Sequence, residues 1–485
     1  GTLTVPVTGW QPSRPHFARD LPPGALADRV GKLIAPRALL PLAAVTQTVA
    51  VSRLLNADDK TVARLVVERP VLVKTGQPVG PRFTIQPVRG YPGQARRAAR
   101  VLAETEGVTH ISGPGLAGPV LTGPVLTDTV FTAALAALGR EPGDYSNKVS
   151  APVTAGMPAS QAVAVVLLDL LDTMEANKDG VLRDIDPEFL HDFRVAVRRT
   201  RSALKLFGPA LITAREVVTA TNKRAAGDTV TARRIEQAAA EFKWLGDLTT
   251  PTRDLDVHLL GFDDMEAGLR AAKPDDLEPF RAYLRERRAR ECRALARGLR
   301  SPRFRELTGQ WRAALTPIAE ARKPARGASV RYGERSAVVL AAERTRRAFA
   351  KVTKRGAAIT PDSPHESLHD LRKRCKELRY ALEFFAPLHD RAYYAPVLAD
   401  LKKLQDCLGD FHDNEVQIAE IRALATEMQA AGEAPAVTLL ALGEVTAGLA
   451  RNQASARDDF ERRFAAFAGA DGQRRMAMLL REGGA

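Results

Sequence analysis

Leu190-His191-Asp192-Phe193-Arg194 recurs in this chain as Leu368-His369-Asp370-Leu371-Arg372. Further along, Ala203-Leu204-Lys205-Leu206-Phe207 is answered by Ala381-Leu382-Glu383-Phe384-Phe385. A second block follows each copy. Lys243-Trp244-Leu245-Gly246-Asp247 through Arg253-Asp254-Leu255-Asp256-Val257 parallels Lys402-Lys403-Leu404-Gln405-Asp406 through His412-Asp413-Asn414-Glu415-Val416. Two copies of one helical unit, fused and packed together, account for the pattern most simply.

Each copy opens on a helix start. Asp186-Pro187 and Ser363-Pro364 place a capping side chain before a proline suited to the first helical position. Ser363 with Glu366 also fits a capping box. From these starts, His191, Arg194, Arg198, Arg201 and Lys205 fall at i, i+3, i+7, i+10 and i+14, which is one face of a helix. His369, Arg372, Lys376 and Arg379 take the same steps in the second copy. Phe193, Val197, Leu204 and Phe207 make a separate apolar stripe for the core. A solvated helix face normally mixes signs at i,i+4 spacing, yet the first column has no acidic member. Like charges stacked a turn apart repel, and a bound polyanion relieves that cost.

The residue types suit phosphate. Arg offers a planar fork of donors, Lys a point charge, and His a donor whose charge responds to its surroundings. One helical turn rises about 5.4 Å, so successive turns can follow a repeating linear anion. Arg199 and Lys373 flank the two columns and are counted with them. Arg344, Arg347, Lys351 and Lys354 form another i, i+3, i+7, i+10 set ahead of the second copy, and Lys243, Arg253 and Lys402 sit in the downstream blocks. These cations are expected to complete the binding surface.

The rest of the chain frames this reading. Its 485 residues exceed what one hydrophobic core holds, so two or more domains are expected. A net charge of +14 and a pI near 9.9 favour an anionic partner: nucleic acid, membrane headgroups or a phosphate polymer. No apolar run approaches the roughly 20 residues of a membrane span; Ala162–Leu171, the most apolar stretch, carries Asp169 and reads as a core helix. The chain starts at Gly1 with no signal peptide, so a cytoplasmic protein with no membrane partner is expected. Cys292, Cys375 and Cys407 are widely spaced and form no C-x-x-C pair, which fits plain thiols. Residues 1 to about 100 have strand texture at Val45–Val51, Val62–Val67 and Arg82–Gln86, with a turn at Asn56–Asp59 and a helix over Gln94–Glu106. A Pro- and Gly-rich stretch follows, and helical texture begins near 160.

Taken with its downstream block, the repeated motif resembles the CHAD family, the conserved histidine α-helical domain. The carrying residues are His191 to Arg201, His369 to Arg372 with Lys376, Arg379 and Tyr380, and Lys243 to Asp247 with Arg253 to Val257. The resemblance covers about residues 156–485. It implies two pseudo-symmetric antiparallel helical bundles enclosing a basic channel that binds inorganic polyphosphate, without catalysis or cofactor, and association with polyphosphate granules. The chain departs from the pattern in a longer insert, about Thr213–Arg234. The front part is similar to the CYTH triphosphate-tunnel domain over Leu40–Val45 and Asn56–Ala63. It lacks the Glu-x-Glu-x-Lys strand on which tunnel enzymes mount metal ligands. An inactive, degenerate or truncated relative is therefore expected. The expected layout is a mainly α protein: a smaller α/β domain with an antiparallel sheet over 1–145, a linker over 146–158, and a helical domain over 159–485 with repeats at about 159–320 and 330–485.

Two other classes compete. Glu188-x-x-His191 and Glu366-x-x-His369 match the pattern that helical di-metal enzymes use, and His-Asp pairs occur in metal-dependent phosphohydrolases. Arg194 and Arg372, one turn from each His, oppose a divalent cation there, and acids near a helix N-terminus have a simpler use. A nucleic-acid binder would interleave aromatics among its cations, but aromatics are only 6% here. Other phosphate-rich anions remain as partners on this reading.

Overall fold

A computed structural model of the chain describes residues 11, 14–104, 111–112, 130–212, 230–321 and 335–482. The chain divides into two compact units, Gly1–Ser146 and Asn147–Ala485.

In the first unit β1 (Val45–Leu55) and β2 (Thr61–Leu72) form a long antiparallel hairpin, with Val51 opposite Val66. Asn56 closes the turn, its Oδ1 accepting from the amides of Asp58 and Lys60, and Asp59 takes the left-handed conformation (φ 57°). β3 (Arg82–Pro87) pairs antiparallel with β2, and the short β4 (Ile111–Ser112) adds in parallel. α1 is Ala25–Ile34. α2 (Pro92–Ala103) covers one face of the sheet, packing Ala95 and Ala99 on Ala63 and Ile85. α3 is Val130–Ala137. Among the described residues β1 is an edge strand, with Val49 and Val51 exposed. Among the described residues the sheet is therefore open rather than closed into a tunnel.

The second unit is helical: α4 (Ala159–Leu182), α5 (Pro187–Phe207), α6 (Ala232–Leu260), α7 (Phe262–Ala267), α8 (Glu278–Arg300) and α9 (Pro302–Ala319). Then follow α10 (Ala337–Gly356), α11 (His365–Phe384), α12 (Arg391–Ala430), α13 (Ala436–Ala468) and α14 (Ala470–Glu482). The stretch 147–158, which falls in the expected linker, packs on the helical unit. Ser150 bonds Asp169 through both its amide and its hydroxyl, and Ala151 and Val153 are buried against the helices, because extended apolar chain lies on α4. The insert expected at Thr213–Arg234 lies mostly outside the described residues, and its last residues already belong to α6.

One core gathers the buried faces of α4, α5, α6, α8 and α9, and a second those of α10 to α14. A third joins the far ends of α6 and α8 to those of α12 and α13. Three contacts mark a pseudo-twofold relation. Pro158 and Ser336, as far apart in sequence as His191 and His369, form an antiparallel bridge. Its bonds are reciprocal, Ala159 N to Arg335 O and Ala337 N to Met157 O, each 2.8 Å. Where α5 meets α11, the equivalent rings of Phe207 and Phe385 meet edge to face at 5.1 Å. Beside them Arg199 pairs with Glu383 (3.1 Å) and Lys205 with Glu377 (2.5 Å). Glu377 occupies the second-copy position of Arg199 and Glu383 that of Lys205, so the bridges are one contact written twice with residues exchanged.

Candidate functional site

Asp186 fixes the start of α5: its carboxylate accepts from the amides of Glu188 and Phe189 with Pro187 at the first turn. With the phase set there, the stripe from His191 to Lys205 runs along α5 between α6 and α11. On α11, Pro364 is the capping residue and His365 the first helical one, so Ser363 stands one position earlier than the sequence suggests. Ser363 closes its own turn instead, its hydroxyl accepting from Thr360 N.

Between the repeats lies a groove of about 820 Å³. It is lined by His191, Arg198 and Arg199 from α5 and by Arg372, Lys376 and Arg379 from α11. Arg198 Nε donates to the hydroxyl of Tyr380 at 2.8 Å, joining the repeats across the groove. Arg199 is 8% exposed and forms part of the floor; it bonds the carbonyl of Asn147 and pairs with Glu383. Arg372 Nη2 donates to Asp413 Oδ1 at 2.7 Å, and Arg379 Nε to Glu383 Oε1 at 2.6 Å. Among the described residues no carboxylate closes on Arg198 or Lys376. Burial, with Arg372 and Arg198 beside it, pushes the Lys376 ammonium down to about 8. Burial also lowers His191, and the neighbouring Arg253 adds to it, so its imidazole favours the neutral form.

Other cations expected here have different work. Arg194 is half-buried and donates to the hydroxyls of Thr249 (3.0 Å) and Thr250 (2.8 Å) and to Gly246 O on α6. Pro251 sits within that helix and lacks the amide proton that would close the ladder onto Asp247 O. Arg194 is thus an internal tether rather than a groove residue. Arg201 is exposed and crosses α6 at Gly246, where its Nη1 would lie 3.1 Å from any Cβ. Lys205 is held at the seam by Glu377. Arg253 reaches back to Pro187 O and lies 3.9 Å from Glu188. Lys243 and Arg347 are exposed and pair within their own helices, with Asp247 and Glu343. Lys373 lies 3.9 Å from Asp370, and Lys402 is exposed on α12. Lys351 and Lys354 line a separate groove with Arg355, Glu366, Asp370 and Arg374, between α10 and α11.

His369 stops one turn short of the groove lining. Its Nδ1 meets that of His412 at 3.1 Å, and burial lowers both imidazoles, with Lys373 or Arg372 adding to it. His365 bonds Glu415 at 2.8 Å. Among the described residues no group of three His, Cys, Asp or Glu side chains is placed to hold a metal ion. No helix among them is long and apolar enough to cross a membrane.

The columns seen in sequence therefore split by angle: six of their residues, five of them cations, share one groove and the rest hold helices together or face outward. Sequence reading missed Lys148 and Tyr394, and above all the acids of the lining, Glu383, Asp406, Asp410 and Asp413. The absence of acids within the α5 column gave no warning, because the neutralising carboxylates come from α11 and α12. Asp406, Asp410 and Asp413 stand at i, i+4 and i+7, a spacing that would have revealed them.

A family model for the CHAD domain matches residues 165–236 and 224–422, together more than half of the chain. The crystal structure of the CHAD domain from the plant Ricinus communis superposes with a TM-score of 0.51 at 25% identity, covering 67% of this chain and 98% of that one. A structure of PptA from Streptomyces chartreusis aligns at 16% identity and a TM-score of 0.46, over 63% of this chain and 99% of that one. None of the curated proteins matches. With the repeated His-Asp-x-Arg helices facing each other across a pseudo-twofold seam, this chain belongs to the CHAD family.

Proposed function

We propose that the groove between the repeats binds inorganic polyphosphate and leaves it intact. One observation carries the reading: Arg198, Arg372 and Lys376 converge there from both repeats, and Lys376 holds its proton weakly because burial and the two guanidiniums work against it. A multivalent anion relieves all three at once. The family resemblance implies the same ligand. Nucleic acid fits less well, because the groove's aromatics are already stacked. Tyr380, only 6% exposed, lies on Phe384 (5.9 Å, 13°) and Tyr394 on His389 (5.8 Å, 10°), so one face of each ring is already covered. On this reading the protein associates with polyphosphate granules, and the first unit is an inactive relative of the triphosphate-tunnel domain, consistent with its three-strand meander and the missing Glu-x-Glu-x-Lys motif.

The test is a titration with long-chain polyphosphate against triphosphate, ATP, duplex DNA and RNA at equal phosphate concentration. Polyphosphate is expected to bind tightest, with an affinity that falls steeply with salt as bound counterions are released. Arg198→Glu with Lys376→Glu is expected to abolish binding while circular dichroism stays unchanged. Displacement of polyphosphate by nucleic acid at equal phosphate, or wild-type affinity in the folded double variant, overturns the reading.

A further inference from the structure

The groove is not uniformly basic. Lys148, Arg198, Arg199, Arg372, Lys376 and Arg379 face four carboxylates, a formal balance of only +2 with His191 neutral. Asp406, Asp410 and Asp413 form one stripe of α12, and Glu383 stands on α11. Two of these acids hold groove cations directly: Asp413 takes Arg372 and Glu383 takes Arg379. Glu383 also secures the seam through Arg199, whereas Asp413 has a side chain 59% exposed at the groove. Burial raises Asp410, and the proximity of Asp406 and Asp413 adds to it, so the acidic stripe carries mutual repulsion of its own.

From this arrangement we infer that Asp413 is a specificity-determining residue: its carboxylate occupies on Arg372 the place a ligand phosphate must take, so that only a linear anion of high charge density displaces it. The inference rests on reading the groove as an anion site. A single phosphodiester brings one charge, replaces one carboxylate, and leaves Asp413 released beside Asp410 and the incoming anion, with little net gain. A polyphosphate first gains Arg198 and Lys376, which no carboxylate among the described residues holds. Its next phosphate then meets Arg372 at high effective concentration, and displacing Asp413 becomes an intramolecular step. The acidic stripe thus works against weakly charged anions and is overcome by a chain that engages several cations together.

The experiment uses the full chain and its Asp413→Asn variant, titrated with long-chain polyphosphate, triphosphate and single-stranded RNA. Long-chain polyphosphate is expected to tighten about twofold to threefold, as one repulsive charge is removed. Triphosphate, likewise a linear anion of high charge density, is expected to tighten by a similar factor, and RNA about tenfold or more, so discrimination against phosphodiesters narrows. Asp413→Glu, which keeps the charge, is expected to retain wild-type discrimination, and Glu241→Gln, which releases Arg303 on a distant surface, is expected to change nothing. Unchanged or weaker binding of every anion to folded Asp413→Asn overturns this inference. Failure of the wild type to bind polyphosphate overturns the underlying reading instead, so the two are separable.

Discussion

Lys376→Met isolates the conflict between stability and binding that the groove contains. Met matches the length and volume of the lysine stem but carries no charge. In the folded protein the Lys376 ammonium titrates at about 8, against 10.5 for a free side chain, with burial the largest cause and Arg372 and Arg198 next. A displacement of that size corresponds to about 3 kcal/mol. Lys376 keeps some contact with solvent, so about 1–3 kcal/mol is the expected gain in folding stability at pH 7 on substitution. The direction with pH follows from proton binding. Below about pH 8 the folded state carries the whole penalty of the desolvated ammonium. Between about pH 8 and 10.5 the folded lysine is already neutral while the unfolded one is still charged, so wild-type stability from this group rises through that window. The gap between variant and wild type should therefore be largest near neutral pH and close toward pH 10. Denaturant unfolding at pH 7 and pH 9.5 measures it, and polyphosphate titration of the same samples should show a loss of about tenfold or more. A Lys376→Met protein no more stable than wild type at pH 7, or a gap that does not shrink with pH, refutes the reasoning.

Two further substitutions test the scaffold around the groove. Arg194→Ala removes the donor that Thr249, Thr250 and Gly246 O share, and should lower unfolding free energy by about 2 kcal/mol while the folded fraction keeps its anion affinity; a proportionate loss of affinity would return Arg194 to the site. Gly180→Ala places a Cβ about 2.2 Å from the ring of Phe189 on α5 and should cost about 1–3 kcal/mol in denaturant unfolding, whereas an unchanged midpoint would mean that α4 and α5 pack less closely than described.

Much of the second unit was legible in the chain because its signals are local. Asp186 and Pro187 announce α5, and the 3.6-residue step from His191 to Lys205 defines a stripe before any tertiary contact is known. The repeat foretold a two-part helical fold, and the pairing of Pro158 with Ser336 gives it a pseudo-twofold form. The sequence could not say which neighbour each cation would meet. Arg194 and Arg198 stand one turn apart on the same stripe. The first turns into α6, where Gly246 O and the hydroxyls of Thr249 and Thr250 accept from it, and the second reaches Tyr380 across the seam. Likewise Lys351 and Lys354 read as part of one basic surface, yet the body of α11 stands between them and the groove. Such assignments depend on helix packing angles, which are written in pairs of distant residues rather than in any window.

The exchanged bridges at the seam bear on how the two copies have parted. Arg199 and Lys205 are both cationic in the first copy, and their counterparts Glu377 and Glu383 are both acidic in the second. Were one molecule's first copy to meet the same copy of a neighbour in this arrangement, Arg199 would confront Lys205 twice over; two second copies would set glutamate against glutamate. Self-recognition between like halves is thereby penalised, while the unlike pairing is rewarded and, being carried on one polypeptide, does not weaken on dilution. A duplication that began with interchangeable parts has become a lock and key that no longer trade places.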